Sequence, residues 1–246
     1  MPRPVPALLA LATVGALTCP VAMAAEGDVR VADVRVAIGV GPMPDEMDGT
    51  QTAPAAQAGT NFDQTYDSTP GLSVTIGGRY GRLSPLGLII GGELRSTTGE
   101  MAYDKLTIGD VDYTSEQLAQ SSGDKVPGMS FSQTGVAVNL GVGLAVSRSW
   151  HVELLGLAGV DWTTWDSIAT MFSPNITVAE GTGWGHTLGG RAGLYWTDPE
   201  TGWQFGLEGE YVTTVTEIEV SYRQETVESD IENTGVSLRA VIGHRF

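Results

Sequence analysis

The chain has 246 residues, with 13 basic and 29 acidic side chains and a formal net charge of −16 at pH 7. Such an excess of negative charge disfavours nonspecific binding to nucleic acid or to an anionic surface. Beyond the N-terminal segment no stretch reaches about 18 apolar residues, so the sequence predicts no transmembrane helix.

The first 24 residues have the pattern of a secretory signal. Arg3 supplies one early positive charge, an apolar run follows it, and Ala22-Met23-Ala24 forms a small-x-small cleavage site. We therefore expect residues 1–24 to be a signal peptide and residues 25–246 to form one domain. The single cysteine, Cys19, lies inside this segment, so no disulfide is expected in the mature chain.

Eight later segments alternate apolar and polar residues with the period of two that is typical of β-strands. Three connections between them are short and rich in turn residues, and the other four are long. Eight antiparallel strands require this alternation of turns and loops, which places both chain ends on the short-turn side. The segments cover approximately residues 30–41, 71–83, 87–99, 131–146, 151–163, 184–196, 203–216 and 233–246.

The two faces of these segments differ in composition. In the segment 131–146, one face carries valine and leucine from Val136 to Val146, and the other carries glycine, alanine and Asn139. Glycines with isolated charges suit a crowded lumen, so the bulky face is predicted to contact lipid. No water in hydrocarbon can satisfy exposed backbone amides, and the strands must therefore close into a barrel.

Six tryptophans lie near the ends of the segments. Trp184 and Trp196 share one face of a single segment, which separates them by about 30 Å along the membrane normal at a strand tilt of about 40°. Two aromatic girdles about 25 Å apart are typical of transmembrane barrels, whereas the core of a soluble β-domain needs no such belts. We assign to the girdles Trp150, Trp162, Trp165, Trp184, Trp196 and Trp203.

Charged residues on the glycine-rich face form a predicted luminal network. We interpret it as a plug of ion pairs, because an eight-stranded barrel has room only for its own side chains; an ion-lined passage is the alternative. If Trp196 lies opposite Trp203, the same register pairs Arg191 with Glu208. Arg79 is predicted to meet Glu93 across the SPLG hairpin. The network comprises Arg35, Arg79, Glu93, Arg95, Glu153, Arg191, Glu208, Glu210 and Arg239.

The last segment alternates to its end and closes on an aromatic residue, Phe246. This end resembles the signal that bacterial outer-membrane barrels present to their assembly machinery. Residues 29–246 resemble the small eight-stranded group that includes the barrels of outer membrane proteins A, X and W and the opacity proteins. The resemblance implies an all-β fold, an eight-stranded antiparallel up-and-down transmembrane barrel with short periplasmic turns and long extracellular loops. It also implies the outer membrane of a Gram-negative envelope, with periplasmic chaperones, the barrel-assembly machinery, outer-membrane lipids and lipopolysaccharide as partners.

Some barrels of this group remodel lipid A with a histidine, a serine and a carboxylate, because a histidine must lie beside the nucleophile that it activates. The deacylase motif is His-x-Ser, but His186 is followed two residues later by Leu188. His151 and His244 lie on the short-turn side. We therefore predict a protein that is not an enzyme and has no metal or cofactor. A lipid A-modifying enzyme is the least favoured alternative.

The long loops are predicted to be the working surface. We expect a monomer with a structural or surface-interaction role, whose extracellular partner is basic or bridged by cations; a narrow, porin-like channel for water, ions or small solutes is the alternative. Residues 106–114 are expected to continue as a strand above the membrane. The first loop contains Asp45, Glu46, Asp48, Asp63 and Asp67, and the last contains Glu217, Glu219, Glu225, Glu228, Asp230 and Glu232 against Arg223.

Overall fold

A computed structural model describes residues 30–53, 58–83, 86–121, 128–167, 179–222 and 225–246. The predicted signal peptide with Cys19, the first two residues of the SPLG turn, and Arg223 lie outside the described residues. Within the described residues, no helix is long and apolar enough to cross a membrane.

Eleven strands and one short helix make up this part of the chain. In chain order the strands are β1 (Arg30–Gly41), β2 (Glu46–Ala53), β3 (Asn61–Ser68), β4 (Gly71–Arg82), β5 (Gly87–Ile108), β6 (Val111–Thr114), β7 (Gly128–Ala145), β8 (Trp150–Ser167), β9 (Ala179–Thr197), β10 (Trp203–Tyr222) and β11 (Glu225–Arg245). The helix α1 (Ser115–Ser121) lies between β6 and β7.

Eight of the strands close into a ring in the order β1, β4, β5, β7, β8, β9, β10 and β11, and β11 pairs with β1. The predicted eight-stranded antiparallel barrel is confirmed. Directly paired residues can be followed from Ile38 on β1 through each strand of the ring to β11, and from there to Asp48 on β2, which lies above β1. The row therefore returns ten residues further along the chain than it began, and this offset is the stagger of the barrel. This stagger corresponds to a strand tilt of about 40°, within the usual range for closed barrels.

The other three strands extend the wall beyond the predicted membrane segment. The hairpin of β2 and β3 lies in the first long loop, where β2 pairs with β11 and β3 pairs with β5. It therefore continues the wall above β1 and β4. The strand β6 pairs with the upper end of β5, as predicted for residues 106–114. The last two ring strands are also longer than the segments 203–216 and 233–246 that the alternation predicted.

The apolar and the charged face of the wall change places at the extracellular end of the barrel. In the lower part of β10, Leu207 points outward and is 61 % exposed, whereas Glu208 points inward and is buried. In the upper part of the same strand, Glu217 points outward and Ile218 is buried inside. The lower wall is therefore apolar outside and charged inside, as in a membrane barrel. The upper wall is acidic outside and apolar inside, as in a soluble barrel.

The interior is filled at three levels. Near the short turns lies a small apolar cluster of Val31, Leu83, Ile89, Ala145 and Leu155. The charged network occupies the middle. The extracellular end holds an upper apolar cluster of Met43, Met47, Tyr66, Met101, Tyr103, Met129, Phe131, Trp165, Ile218 and Ile231.

Candidate functional site

The lower part of the luminal network is centred on Glu153 of β8. Its carboxylate accepts hydrogen bonds from Arg35 at 2.7 and 3.0 Å and another from Arg79 on β4. Arg35 also donates to Asp33, two residues earlier on β1, at 2.7 Å. All four side chains are buried. Each guanidinium group therefore has a carboxylate partner in a space that excludes most water.

Tyr195 on β9 connects this group to β10. Its hydroxyl accepts a hydrogen bond from Arg79 at 2.9 Å and donates one to Glu208 at 2.6 Å. The ring fits because the inward positions beside it are Gly193 and Gly206, where a Cβ atom would overlap the tyrosine. These inward glycines make room for an aromatic side chain rather than for an open path.

The centre of the network is Arg191 on β9. Its two terminal nitrogens donate to the carboxylate of Glu93 at 2.6 and 2.7 Å, and its Nε donates to Glu210 at 2.8 Å. Arg239 on β11 donates to the same Glu210 carboxylate at 2.5 Å and to the hydroxyl of Thr75 at 2.7 Å. Glu210 therefore accepts hydrogen bonds from two arginines, whereas Arg191 is the main cationic partner of Glu93.

Arg95 on β5 forms the upper edge of the network. Its nearest ion-pair contacts are longer than those of the other arginines: 3.7 Å from its Nε to Asp161 and 3.5 Å from its Nη2 to Glu210. Asp161 accepts a hydrogen bond from Thr187, whose hydroxyl lies 2.7 Å from that of Thr214. A layer of threonine hydroxyls thus separates the ion pairs from the upper apolar cluster.

The structure places all nine predicted network residues inside the barrel, each at most 8 % exposed. It adds Asp33, His151, Asp161 and Tyr195, which the sequence analysis did not assign to the network. Each lies an even number of residues from a predicted member of the same strand. The alternation therefore already indicated the direction of all four side chains.

The predicted register between Arg191 and Glu208 is wrong by two residues, although the two side chains still form a long ion pair. The register places Arg191 opposite Glu210 and Trp196 opposite Phe205. Glu208 is the more distant neighbour, with 3.7 Å between its Oε2 and the Nε of Arg191.

The turn between β9 and β10 explains this shift. Asp198 and Trp203 close the turn through a backbone hydrogen bond of 2.8 Å, and Gly202 has a φ of 76°. Continued into the turn, the predicted register would leave only Pro199 and Glu200 between the strands. The favoured two-residue hairpin turns, types I′ and II′, need a positive φ at their first position, which proline cannot adopt.

The second predicted pair, Arg79 with Glu93, does not form. The register places Arg79 opposite Gly91, and its guanidinium group instead contacts Glu153 and Glu208. The barrel is narrow enough for an arginine to reach across the lumen. Ion pairs therefore form between strands that are not neighbours in the sheet.

The predicted tryptophan girdles are correct in direction for five residues and wrong for one. Trp165 is 4 % exposed and packs in the upper apolar cluster. It follows Trp162 by three residues, and an odd separation places two strand residues on opposite faces. The outward tryptophans all belong to β8, β9 and β10, so they lie on one side of the barrel; they are Trp150, Trp162, Trp184, Trp196 and Trp203.

Four carboxylates on the outer upper wall lie directly opposite one another. The register pairs Asp63 with Asp48, Asp48 with Asp230, and Asp230 with Glu217. Opposed residues of antiparallel strands have Cβ atoms about 4.5–5.5 Å apart, and like charges at this distance repel each other. We call these four residues the acidic row.

The acidic row has the ligand chemistry of a cation-binding surface. Carboxylate oxygens of Glu46, Asp48 and Asp63 all lie within 4.8 Å of one another. The pKa of Asp48 is raised above its usual range, mainly by partial burial and to a smaller extent by the negative charges of Asp63 and Asp230. A groove of about 1110 Å³ runs along the row and is also lined by Trp162 and Trp184.

The three histidines lie in different surroundings. The Nε2 atom of His151 is 3.2 Å from Glu153 inside the network. His186 is exposed on the outer wall opposite Val160 and Val215. The Nε2 of His244 donates to a backbone carbonyl of the β9–β10 turn at 3.1 Å.

The predicted assembly signal, Phe246, lies at the short-turn end of the barrel. Its side chain is 81 % exposed, and its backbone N–H donates to the carbonyl of Ala32 at 2.8 Å. The ring centre lies 4.9 Å from that of His244.

Comparison with solved structures shows that the chain has the fold of the small bacterial outer-membrane barrels. The outer membrane protein OprG from Pseudomonas aeruginosa is 15 % identical, with 88 % of this chain and 97 % of that chain covered and a TM-score of 0.50. The outer membrane protease OmpT from Escherichia coli is 8 % identical, with 87 % and 97 % covered and a TM-score of 0.45. The outer membrane protein AlkL is 14 % identical, with 89 % and 93 % covered and a TM-score of 0.39.

No family model matches the sequence, and no curated protein matches it. The shared fold supports a location in the outer membrane.

Proposed function

We propose that this protein is a closed, non-enzymatic barrel of the outer membrane that contacts the lipopolysaccharide leaflet through cations held on its outer upper wall. The observation that carries the proposal is the acidic row, which lies where the outer wall changes from apolar to acidic. Lipopolysaccharide phosphates are anionic at this level, so divalent cations would bridge them to the carboxylates. Hard cations such as Mg²⁺ and Ca²⁺ prefer oxygen ligands of this kind.

The distribution of charge supports this role. Five buried arginines lie in the lumen with six buried carboxylates, so the interior is close to neutral. The negative charge of the chain is therefore displayed on its surface. Lys105 is the only basic residue on the described extracellular part, and it already pairs with Asp112 at 2.9 Å.

The filled interior supports a closed barrel rather than a channel. Apolar clusters occupy both ends of the lumen, and ion pairs occupy the middle. A cavity of about 10 Å³ lies beside Asn139 and Glu208, which is room for roughly one water molecule. His186 faces valines on both neighbouring strands, which supports a role without catalysis.

Assembly belongs to the same proposal. The exposed ring of Phe246 is accessible to the barrel-assembly machinery, after delivery by periplasmic chaperones, and the product is a monomer surrounded by outer-membrane lipids.

Neutralising three of the four carboxylates of the acidic row should remove most of the response of the protein to Mg²⁺. In vesicles containing lipopolysaccharide, we expect Mg²⁺ to raise the melting temperature of the wild type. Without Mg²⁺ this variant should be more stable than the wild type, because no two charged carboxylates of the row then lie opposite each other. Thermal unfolding with and without Mg²⁺ measures both effects in a variant that combines Asp48→Asn, Asp230→Asn and Glu217→Gln.

A matched variant removes three exposed carboxylates outside the row, by Asp104→Asn, Asp110→Asn and Glu116→Gln. It should keep the Mg²⁺ response of the wild type. An equal loss in both variants would contradict a specific role of the row. An equal Mg²⁺ response in vesicles of phospholipid alone would contradict lipopolysaccharide as the partner.

Planar-bilayer recording tests the closed interior. The purified wild type should produce no current steps above those of the bare bilayer, since no water-filled path passes the ion pairs and both apolar clusters. Steady current steps in the wild type would instead support the narrow channel.

A further inference from the structure

The outer wall carries a second groove at its periplasmic end, far from the acidic row. Its volume is about 410 Å³, and it is a shallow groove that is open over most of its extent. The rings of Trp196 and Phe205 stack in one wall, with 6.0 Å between their centres. The residues that line the groove are Trp196, Asp198, Thr201, Trp203, Phe205 and Ile242.

Asp198 is the one charged residue in the lining of this groove. Its carboxylate accepts a hydrogen bond from the backbone N–H of Glu200 at 3.1 Å and one from the hydroxyl of Thr201. These bonds, led by the one from Thr201, hold the pKa of Asp198 below its usual range. A carboxylate has about four acceptor sites, and these bonds together with one from the backbone N–H of Thr201 leave about one site for a further donor. The groove thus combines an available anion with aromatic faces.

Carboxylates and indole faces both attract organic cations. An ammonium group over a tryptophan ring is stabilised by the ring quadrupole, and an ionised carboxylate adds a charge-assisted hydrogen bond. The groove opens towards the apolar outer wall through Phe205 and Ile242, which are 47 % and 45 % exposed. A ligand with a cationic head and an apolar tail would therefore fit the two parts of the groove.

We propose that this groove binds a phospholipid with a primary ammonium headgroup from the inner leaflet of the outer membrane. The ammonium group lies against Asp198 and the face of Trp203, and the acyl chains follow the wall along Phe205 and Ile242. A choline headgroup also carries positive charge but has no N–H to donate to the carboxylate. A glycerol headgroup has neither the charge nor the donor.

Lipid retention measured by native mass spectrometry tests this site. Delipidated protein in detergent is mixed with equal amounts of phosphatidylethanolamine, phosphatidylcholine and phosphatidylglycerol that have the same acyl chains. The wild type should retain phosphatidylethanolamine most strongly. Asp198→Asn should lower its advantage over phosphatidylglycerol by about tenfold, the effect of one hydrogen bond between charged groups. The asparagine oxygen still accepts from the N–H of Glu200 and preserves the turn.

Glu200→Gln is the matched control, because it removes the same charge from the same turn but lies outside the groove lining. It should retain lipid like the wild type. Trp203→Leu removes an aromatic face without changing the charge and should also weaken selection of the ammonium headgroup. Equal retention of the three lipids by the wild type would overturn the proposal, and so would equal behaviour of Asp198→Asn and Glu200→Gln. These outcomes are independent of Mg²⁺ and of the acidic row.

Discussion

Replacing Arg191 with methionine should destabilise the barrel by about 3–5 kcal/mol, the usual effect of breaking a buried ion pair from one side. The carboxylate of Glu93 would lose both hydrogen bonds from Arg191 and would keep only the amide of Asn139, at 3.1 Å. Glu210 would keep Arg239. The free energy of unfolding in urea from lipid vesicles measures the loss.

A double-mutant cycle identifies the carboxylate to which Arg191 is most strongly coupled. Combining Arg191→Met with Glu93→Leu removes both charges, so the double mutant should recover a large part of the loss. The coupling energy should be about 1 kcal/mol or more. The same cycle with Glu208→Leu should show weaker coupling, because Glu208 has Arg79 at 2.7 Å and Tyr195 at 2.6 Å as nearer partners. Stronger coupling to Glu208 would contradict the structure and favour the register that the sequence predicted.

Replacing Glu153 with leucine should have an effect of similar size, about 3–5 kcal/mol. Glu153 is 1 % exposed and contacts both Arg35 and Arg79, so its removal leaves two guanidinium groups with one carboxylate partner fewer each. Arg35 retains Asp33, and Arg79 retains Glu208. Urea unfolding under the same conditions measures the loss.

Two further substitutions show whether charge is the cause. Glu153→Gln keeps the size and one acceptor oxygen, and it should destabilise the barrel less than Glu153→Leu. Glu200→Gln neutralises an exposed carboxylate and should change the stability by no more than about 0.5 kcal/mol. Wild-type stability of Glu153→Leu would show that the luminal charges are solvated rather than paired.

The sequence by itself determined the eight strands of the ring and the faces of their side chains. Alternation is a local property, because successive side chains of a strand point to opposite sides whatever its neighbours are. It therefore directed the nine network residues inward without information on the rest of the fold. Applied strictly, the alternation also places Trp165 and Trp162 on opposite faces of the strand.

Only the tertiary structure decided which charges meet and where the membrane wall ends. Register depends on the turns, and the turn that Asp198 and Trp203 close places the partner of Arg191 two residues from the predicted one. Arginine side chains reach across a narrow lumen, so Arg79 meets Glu153 on a strand that is not its neighbour. Apart from residues 106–114, the upper wall was not predicted from the sequence, because its strands keep the same period while the faces exchange polarity. What decides polarity is the surroundings, lipid or water, and these depend on the height that each residue reaches in the closed barrel.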